Sequence, residues 1–255
     1  MADKTIEVRG VCFGNGTPRI CVPLVAETYA GLAEELGHLE RVPWDLAEWR
    51  ADFYEGKEDP GAVRTALELI REKVPAKPIL FTVRTAAEGG EFGRGFEEYR
   101  NIVLGAAGTG MIDLADVQLM AGTQEQVRAL TEDLHQAGVR VIGSFHDFKA
   151  TPSAGEMTAL LCRMQELGMD MTKIAVMPRS REDVLELLKA AVRMETRLGD
   201  RPCITMSMGQ TGLISRIAGP FTGSAVTFAS AGRSSAPGQI PAEKMAEILS
   251  AFGER

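Results

Sequence analysis

The chain has 255 residues, 45% of them hydrophobic and 25% charged, with a formal net charge of -7. A chain of this size buries a large core, which excludes disorder and a fibrous repeat. The negative balance, with no Lys/Arg cluster on any segment, argues against nucleic acid and anionic membrane surfaces as partners.

No apolar run approaches the ~20 residues that span a bilayer. The stretch Met1-Ala2-Asp3-Lys4 lacks the apolar core of a signal peptide, so a cytoplasmic location is expected. Cys12, Cys21, Cys162 and Cys203 lie far apart without metal-type spacing and are read as reduced core cysteines.

Taken in order, residues 5–11 and 17–25 have strand character and flank Gly14-Asn15-Gly16, a turn signal open to positive φ. A small hairpin within 5–19 is therefore expected to run into the first main strand. Strands are predicted at 20–24, 46–52, 79–85, 112–119, 139–148, 173–177, 203–208 and 225–229. Helical periodicity fills the gaps, as at 63–74, 124–137, 157–167 and 184–198.

Start and stop signals agree. Thr123 with Gln126 forms a capping box, Thr151-Pro152-Ser153 and Ser180 with Asp183 open two further helices, and Gly138, Gly168 and Gly199 close three. Eight strands alternating with helices over ~250 residues predict an α/β chain, a (β/α)8 TIM barrel with an N-terminal β-hairpin, in one domain spanning 1–255. Chemistry in such a barrel sits at the carboxyl ends of the strands and in the loops beyond them.

The polar residues sort by that rule. Leu46, Glu48, Arg50 and Asp52 share one face of the second strand by period two, so two acids and a guanidinium are expected to point inward. They form either a self-satisfied ion network or a substrate site. Arg84 ends the third strand and suits hydroxyl or carboxylate recognition, while Glu88 is placed to hold a neighbouring base. The glycines of 88–95 lack the spacing of a phosphate-binding loop.

His146 stands at the carboxyl end of the fifth strand, where a general acid or base belongs, and an ordinary pKa of ~6.5 suits it to proton transfer. His38 and His135 read as surface residues. Lys173 lies in the apolar run Met171-Thr172-Lys173-Ile174-Ala175-Val176-Met177-Pro178. An ammonium stranded among Ile174, Val176 and Met177 loses hydration, so its pKa is expected below the usual ~10.4, and a neutral amine attacks carbonyls. The alternative places Lys173 at the strand's start with its head in solvent.

Farther on, Gly212-Leu213-Ile214-Ser215-Arg216 sets an arginine on a short helical turn. Residues 230–240, rich in small and turn-forming types, read as a mobile lid or a plain surface loop.

Together these residues resemble the type I 3-dehydroquinate dehydratases. The match runs through Glu48-Trp49-Arg50-Ala51-Asp52, Phe81-Thr82-Val83-Arg84-Thr85 with Glu88-Gly89-Gly90, His146-Asp147-Phe148 with Thr151-Pro152, and Lys173-Ile174-Ala175-Val176-Met177-Pro178. It continues through Met206-Ser207-Met208-Gly209, Ser215-Arg216 and Ser235-Ala236-Pro237-Gly238-Gln239, covering nearly the whole barrel in the family's order.

The resemblance implies dehydration of 3-dehydroquinate to 3-dehydroshikimate in the shikimate pathway, by a homodimer, without metal or organic cofactor. It casts Lys173 as the Schiff-base lysine, His146 as the general base and Glu88 as the carboxylate that orients the histidine. Arg216 would grip the substrate carboxylate, Glu48, Arg50 and Arg84 would hold the ring hydroxyls, and Ser235 and Gln239 would close the lid.

Two positions depart from the family's pattern. Gln118 stands where a glutamate is common, and Pro23 where many members carry a serine. A loss of inward charge on the fourth strand and a change in affinity are expected, without loss of activity. Two rival readings are a barrel lyase of the class I aldolase kind and a non-catalytic homologue that only binds ligand. The first gives no reason for His146, Arg216 and the lid to occur together. The second sits poorly with the presence of every residue given a chemical role.

Overall fold

The computed structural model describes residues 4–232 and 236–252. It opens on an antiparallel hairpin of β1 (Ile6–Val8) and β2 (Val11–Phe13). The turn is Arg9-Gly10, with φ of 46° and 74°, because a two-residue hairpin loop that follows the strand twist needs positive φ at both positions. The expected turn at Gly14-Asn15-Gly16 instead joins the hairpin to the barrel. A side chain at Gly14 would strike the Lys4 carbonyl oxygen 2.9 Å away.

Eight parallel strands follow: β3 (Arg19–Leu24), β4 (Leu46–Arg50), β5 (Ile79–Thr82), β6 (Leu114–Gln118), β7 (Arg140–Asp147), β8 (Met171–Val176), β9 (Cys203–Ser207) and β10 (Val226–Ser230). Each from β3 to β8 pairs with the next, and β10 pairs with β3. The seam between β9 and β10 is joined just ahead of β10, where Ala225 N donates to the Cys203 carbonyl at 2.7 Å. A two-residue strand, β11 (Ile240–Pro241), adds beside β10.

Around the strands run α1 (Tyr29–Leu39), α2 (Pro60–Lys73), α3 (Phe96–Ala107), α4 (Gln124–Gln136), α5 (Ala154–Glu166), α6 (Arg181–Arg193), the short α7 (Leu213–Ile217) and α8 (Gly219–Thr222), and α9 (Ala242–Ser250). The protein is a (β/α)8 barrel. The capping boxes at Thr123, Ser153 and Ser180 are all formed, so each of these helices has its first free N–H groups bonded. Gly138 and Gly168 close α4 and α5 at φ of 78° and 84°. Gly199 differs, because α6 runs on into a π-turn at Met194–Leu198 and ends on an extended residue.

Two cores follow from the strand alternation. Outward residues such as Trp49, Phe81, Val117, Ile174 and Val176 pack with the helices. Inward ones, Cys21, Leu46, Leu80, Leu114, Ile142, Met171 and Ile204, form a separate apolar floor capped by Val8 and Phe13 of the hairpin. Two residues farther along, the inward positions of β4 to β8 turn polar, as Glu48, Thr82, Asp116, Ser144 and Lys173, while β3 and β9 continue with Pro23 and Met206. The hairpin thus plugs the end of the barrel opposite the carboxyl ends of the strands.

Cys21 and Cys203 are buried, Cys12 and Cys162 half-buried, and all four are free. Among the described residues no helix is long and apolar enough to cross a membrane.

Because Phe13 is fully buried against the floor, Phe13→Ala should lower the unfolding free energy by about 3–5 kcal/mol. Urea denaturation checks this. The residues at the far end of the barrel should keep their activity in the folded fraction.

Candidate active site

Lys173 extends from the middle of β8 between Met171 and Ala175, the two apolar residues that share its inward face. It is 3% exposed, so it does not reach solvent. Ile174 and Val176 turn outward to the helices, and the lysine's actual neighbours are charged. Its Nζ donates to Asp116 Oδ2 at 3.2 Å, lies 3.7 Å from Glu48 Oε1 and stands 4.5 Å over the Phe228 ring. The expected apolar surroundings are therefore corrected to an ion cluster.

That cluster spreads across neighbouring strands. Arg84 Nη2 donates to Asp116 Oδ2 at 2.9 Å and Nη1 to Ser144 Oγ at 2.9 Å, while Ser144 donates to Asp116 Oδ1 at 2.6 Å. Burial alone would raise the Asp116 carboxyl; the charges of Arg84 and Lys173 overcome it and hold the group below the usual carboxylate range. Glu48 accepts from Thr82 Oγ1 at 2.9 Å.

Arg50 makes a two-pronged pair with Asp52, at 2.8 and 2.9 Å, and lies 4.8 Å from the Phe53 ring centre. Asp52 itself is not on the strand, which ends at Arg50. It sits in a 3-10 turn, fully buried, and accepts from Glu91 N at 3.1 Å. The expectation that it points inward from a longer strand is corrected by that turn.

The loop after β5 folds back on itself to present Glu88. Phe92 N donates to the Arg84 carbonyl and Ala86 N to the Phe92 carbonyl. Gly90 is required there, since a side chain would meet the Arg84 carbonyl oxygen at 2.1 Å. These glycines serve loop packing, consistent with their unsuitable spacing for phosphate.

Glu88 Oε2 accepts from His146 N at 3.0 Å and faces His146 Nδ1 at 2.9 Å, with Arg84 Nη1 3.5 Å away. Nδ1 is thereby taken, leaving Nε2 as the ring nitrogen available to a ligand. Burial, followed by the charges of Arg84 and Lys173, holds His146 well below the ordinary imidazole range, so the ring is neutral near pH 7. Burial also pushes Glu88 up to about 7, with Arg84 pulling the other way and Asp116 adding to the rise.

Arg216, on α7, is 3% exposed and, among the described residues, has no carboxylate partner. Its Nη groups donate to the carbonyls of Phe228 and Pro237, and its Nε is buried with no partner among the described residues. Burial lowers it to about 10, which leaves it charged at neutral pH. Pro237 also accepts from Gly209 N, and Gly238, at φ of 77°, lies so close that a side chain would meet the Gly209 carbonyl oxygen at 2.5 Å.

Glu48, Arg50, Arg84, Glu88, His146, Lys173, Arg216 and Gln239 line one cleft, together with Phe148, Ala175, Met206, Met208, Phe228 and Ala236. Ser235, with part of the 230–240 segment expected to form a lid, lies outside the described residues.

Asp116 is a further site residue, outside the expected set, although an aspartate alternating with Leu114 on a strand is a buried charge that needs a partner. It supplies the inward carboxylate of β6. Gln118 instead bonds Thr85, accepting from its N at 2.8 Å and donating to its Oγ1 at 2.7 Å. Pro23 is buried opposite Glu48, beyond the last residue of β3 that pairs with β10.

A model of the type I 3-dehydroquinase family matches residues 20–255. The chain belongs to that family. It is 47% identical over 246 residues to a 3-dehydroquinate dehydratase of Bacillus licheniformis and 48% identical over 245 residues to one of Syntrophotalea carbinolica, covering 96% of this chain and 96% of each relative. The crystal structure of a type I 3-dehydroquinate dehydratase from Clostridium difficile superposes with a TM-score of 0.94 at 40% identity, over 99% of this chain and 98% of that one.

In a family of 3-dehydroquinases, the Glu88 and His146 pair predicts a pH dependence. Below about 7 Glu88 holds a proton and donates it to Nδ1, which puts the ring's own proton on Nε2 and blocks it as a base. The rate should therefore fall as pH drops through about 7. Glu88→Gln should remove that limb from the kcat/KM profile and lower kcat by roughly 10²-fold. A limb that stays in place in the variant would assign it to another group.

Proposed function

We propose that this protein dehydrates 3-dehydroquinate to 3-dehydroshikimate and water, a step of the shikimate pathway, through an imine on Lys173. One observation carries the reading. Among the described residues Arg216 is a buried guanidinium without a carboxylate of its own, in the same cleft as a buried lysine and a neutral histidine. A buried charge is costly until an opposite one arrives, so the site favours a ligand with a carboxylate at one end. Lys173 then requires a carbonyl and His146 an acidic C–H. A keto acid with a leaving hydroxyl next to that carbon satisfies all three, and the relatives named 3-dehydroquinate dehydratase make 3-dehydroquinate the specific choice.

The steps balance within those residues. The ammonium of Lys173 and the ketone yield a protonated iminium and one water. The iminium draws electrons from the neighbouring carbon, acidifying its proton, which His146 Nε2 removes to leave an enamine. The enamine electrons then expel the hydroxyl group with the proton that His146 has taken, giving a second water and a conjugated iminium. Hydrolysis returns the lysine and releases the enone.

Arg216 fixes the carboxylate. Glu48, Arg50 and Arg84 line the same cleft and are assigned to the ring hydroxyls, and Gln239 lines it from the far side of β10. From the same family resemblance we infer a cytoplasmic homodimer; light scattering on the purified chain would check the oligomeric state.

Borohydride added with 3-dehydroquinate, followed by peptide mass spectrometry, should yield a reduced adduct on Lys173, while the absorbance of the conjugated enone rises in untreated samples. Product without an adduct would retain the dehydration and remove the covalent step. Neither signal would overturn both. Arg216→Gln should raise KM by about 10- to 100-fold, the equivalent of a charge-assisted bond of ~1.5–3 kcal/mol, measured by steady-state kinetics.

A further inference from the structure

Asp116 is the charged group nearest the reacting nitrogen, and the steps above do not use it. It is 1% exposed and absent from the residues that line the cleft, so it stands behind Lys173 as seen by a ligand. Its position is dictated by the alternation of β6, where Leu114 and Asp116 face inward while Ala115 and Val117 face the helices. Every lone pair that matters is engaged: Oδ1 accepts from Ser144 Oγ at 2.6 Å, and Oδ2 accepts from Arg84 Nη2 at 2.9 Å and Lys173 Nζ at 3.2 Å. Three donors on three neighbouring strands or their ends hold this carboxylate in place, so it does not follow a substrate in or out.

Charge conservation at nitrogen gives that placement a chemical consequence. Condensation of an ammonium with a ketone forms one C=N bond, breaks the C=O bond and releases water, and the nitrogen carries one positive charge before and after. A fixed anion beside it therefore serves both states and opposes loss of the iminium proton, on which the electron-withdrawing power of the intermediate depends.

Glu48 is the other carboxylate in range, at 3.7 Å. It lines the cleft, so its oxygens are also exposed to a ligand's hydroxyls. We propose that Asp116 is the permanent counter-ion of the Lys173 iminium, a positioning and charge-balancing residue for the reaction, while Glu48 is left free to contact substrate. The proposal rests on the imine mechanism proposed above.

The other titratable groups around Lys173 are Cys21 on β3, Glu48 and Arg50 on β4, Arg84 and Glu88 at and beyond the end of β5, and His146 on β7. β9 and β10 present Met206 and the Phe228 ring. Only Asp116 and Glu48 among these place an anion within 4 Å of Nζ.

The test is Asp116→Asn, an isosteric change that removes the charge and keeps an acceptor. We expect kcat to fall about 30-fold or more with KM within about threefold, and the alkaline limb of the kcat profile to move down by about one pH unit or more, because an amide does not oppose deprotonation of the iminium. If Asp116 only anchors Arg84, KM rises or the melting temperature drops and the alkaline limb stays in place, which overturns the proposal.

Should the variant fail to fold, the wild-type chain decides. Cyanoborohydride reduces a protonated iminium and spares a neutral imine, so trapping on Lys173 should persist undiminished to about pH 9 if the counter-ion holds that proton. Decline of trapping from about pH 7 would overturn the proposal. Wild-type turnover with an unmoved limb in the variant defeats the counter-ion alone, whereas absence of both turnover and adduct in the wild type defeats the proposed function itself.

Discussion

An ammonium with only 3% of its surface exposed has to be neutralised by something that the fold holds still. Removing such an ion from water costs several kcal/mol, and an isolated lysine at that depth would shed its proton or unfold its strand. Asp116 and Glu48 meet the requirement from β6 and β4, and each is in turn held by a neighbour, Asp116 by Ser144 and Arg84, Glu48 by Thr82. The mid-barrel polar layer exists because of that requirement. Below it the inward positions are apolar, and the hairpin shuts out water with Val8 and Phe13. A dry floor and a charged middle layer are thus two halves of one arrangement, since low dielectric strengthens each ion pair above the floor.

The charges are apportioned so that one of them is left over. Arg50 is matched by Asp52, Arg84 by Asp116 and Glu88, and Lys173 by Asp116 and Glu48. Among the described residues of the cleft, Arg216 alone is held by backbone carbonyls. An otherwise balanced site with one buried cation is selective for a single anionic group, and the position of that cation orients whatever carries it. Glu88 plays a different part. Shared between Arg84 and His146 and burdened by burial, it is poised to exchange a proton near neutral pH, and it decides which nitrogen of the ring is basic.

Local backbone chemistry supports this placement. Gly90 lets the loop after β5 return over Arg84, which brings Glu88 against β7, and Gly238 lets the segment after β10 approach the Gly209 backbone, where Pro237 meets both Gly209 N and Arg216. Neither approach tolerates a side chain. Gln118, at the end of β6, bonds Thr85 of the same loop, so a neutral amide suffices at that position: its task is to hold a backbone N–H and a hydroxyl.

Much of the fold was legible in the sequence because period-two and helical periodicities report burial directly. All eight barrel strands fall within the predicted segments to a residue or two, and three capping boxes locate their helices. The identities of Lys173, His146 and Arg216 as unusual residues were also local facts, each a polar group at the end or middle of an apolar run, and Glu88 stood out by its place just beyond a strand end.

The sequence left undetermined which partners those groups would find. The hairpin turn moved to Arg9-Gly10, Asp52 left its strand for a tight turn, and the lysine thought to sit among apolar residues proved to face two carboxylates. The physical reason is common to all of them. Periodicity states which face of an element is buried, while the register between strands, set by long-range pairing such as Ser144 beside Lys173, states what lies opposite. Inside a closed barrel the environment of a charge comes almost wholly from other strands, so the sequence by itself determined the elements and the reactive residue types, and only the tertiary structure decided their charge partners.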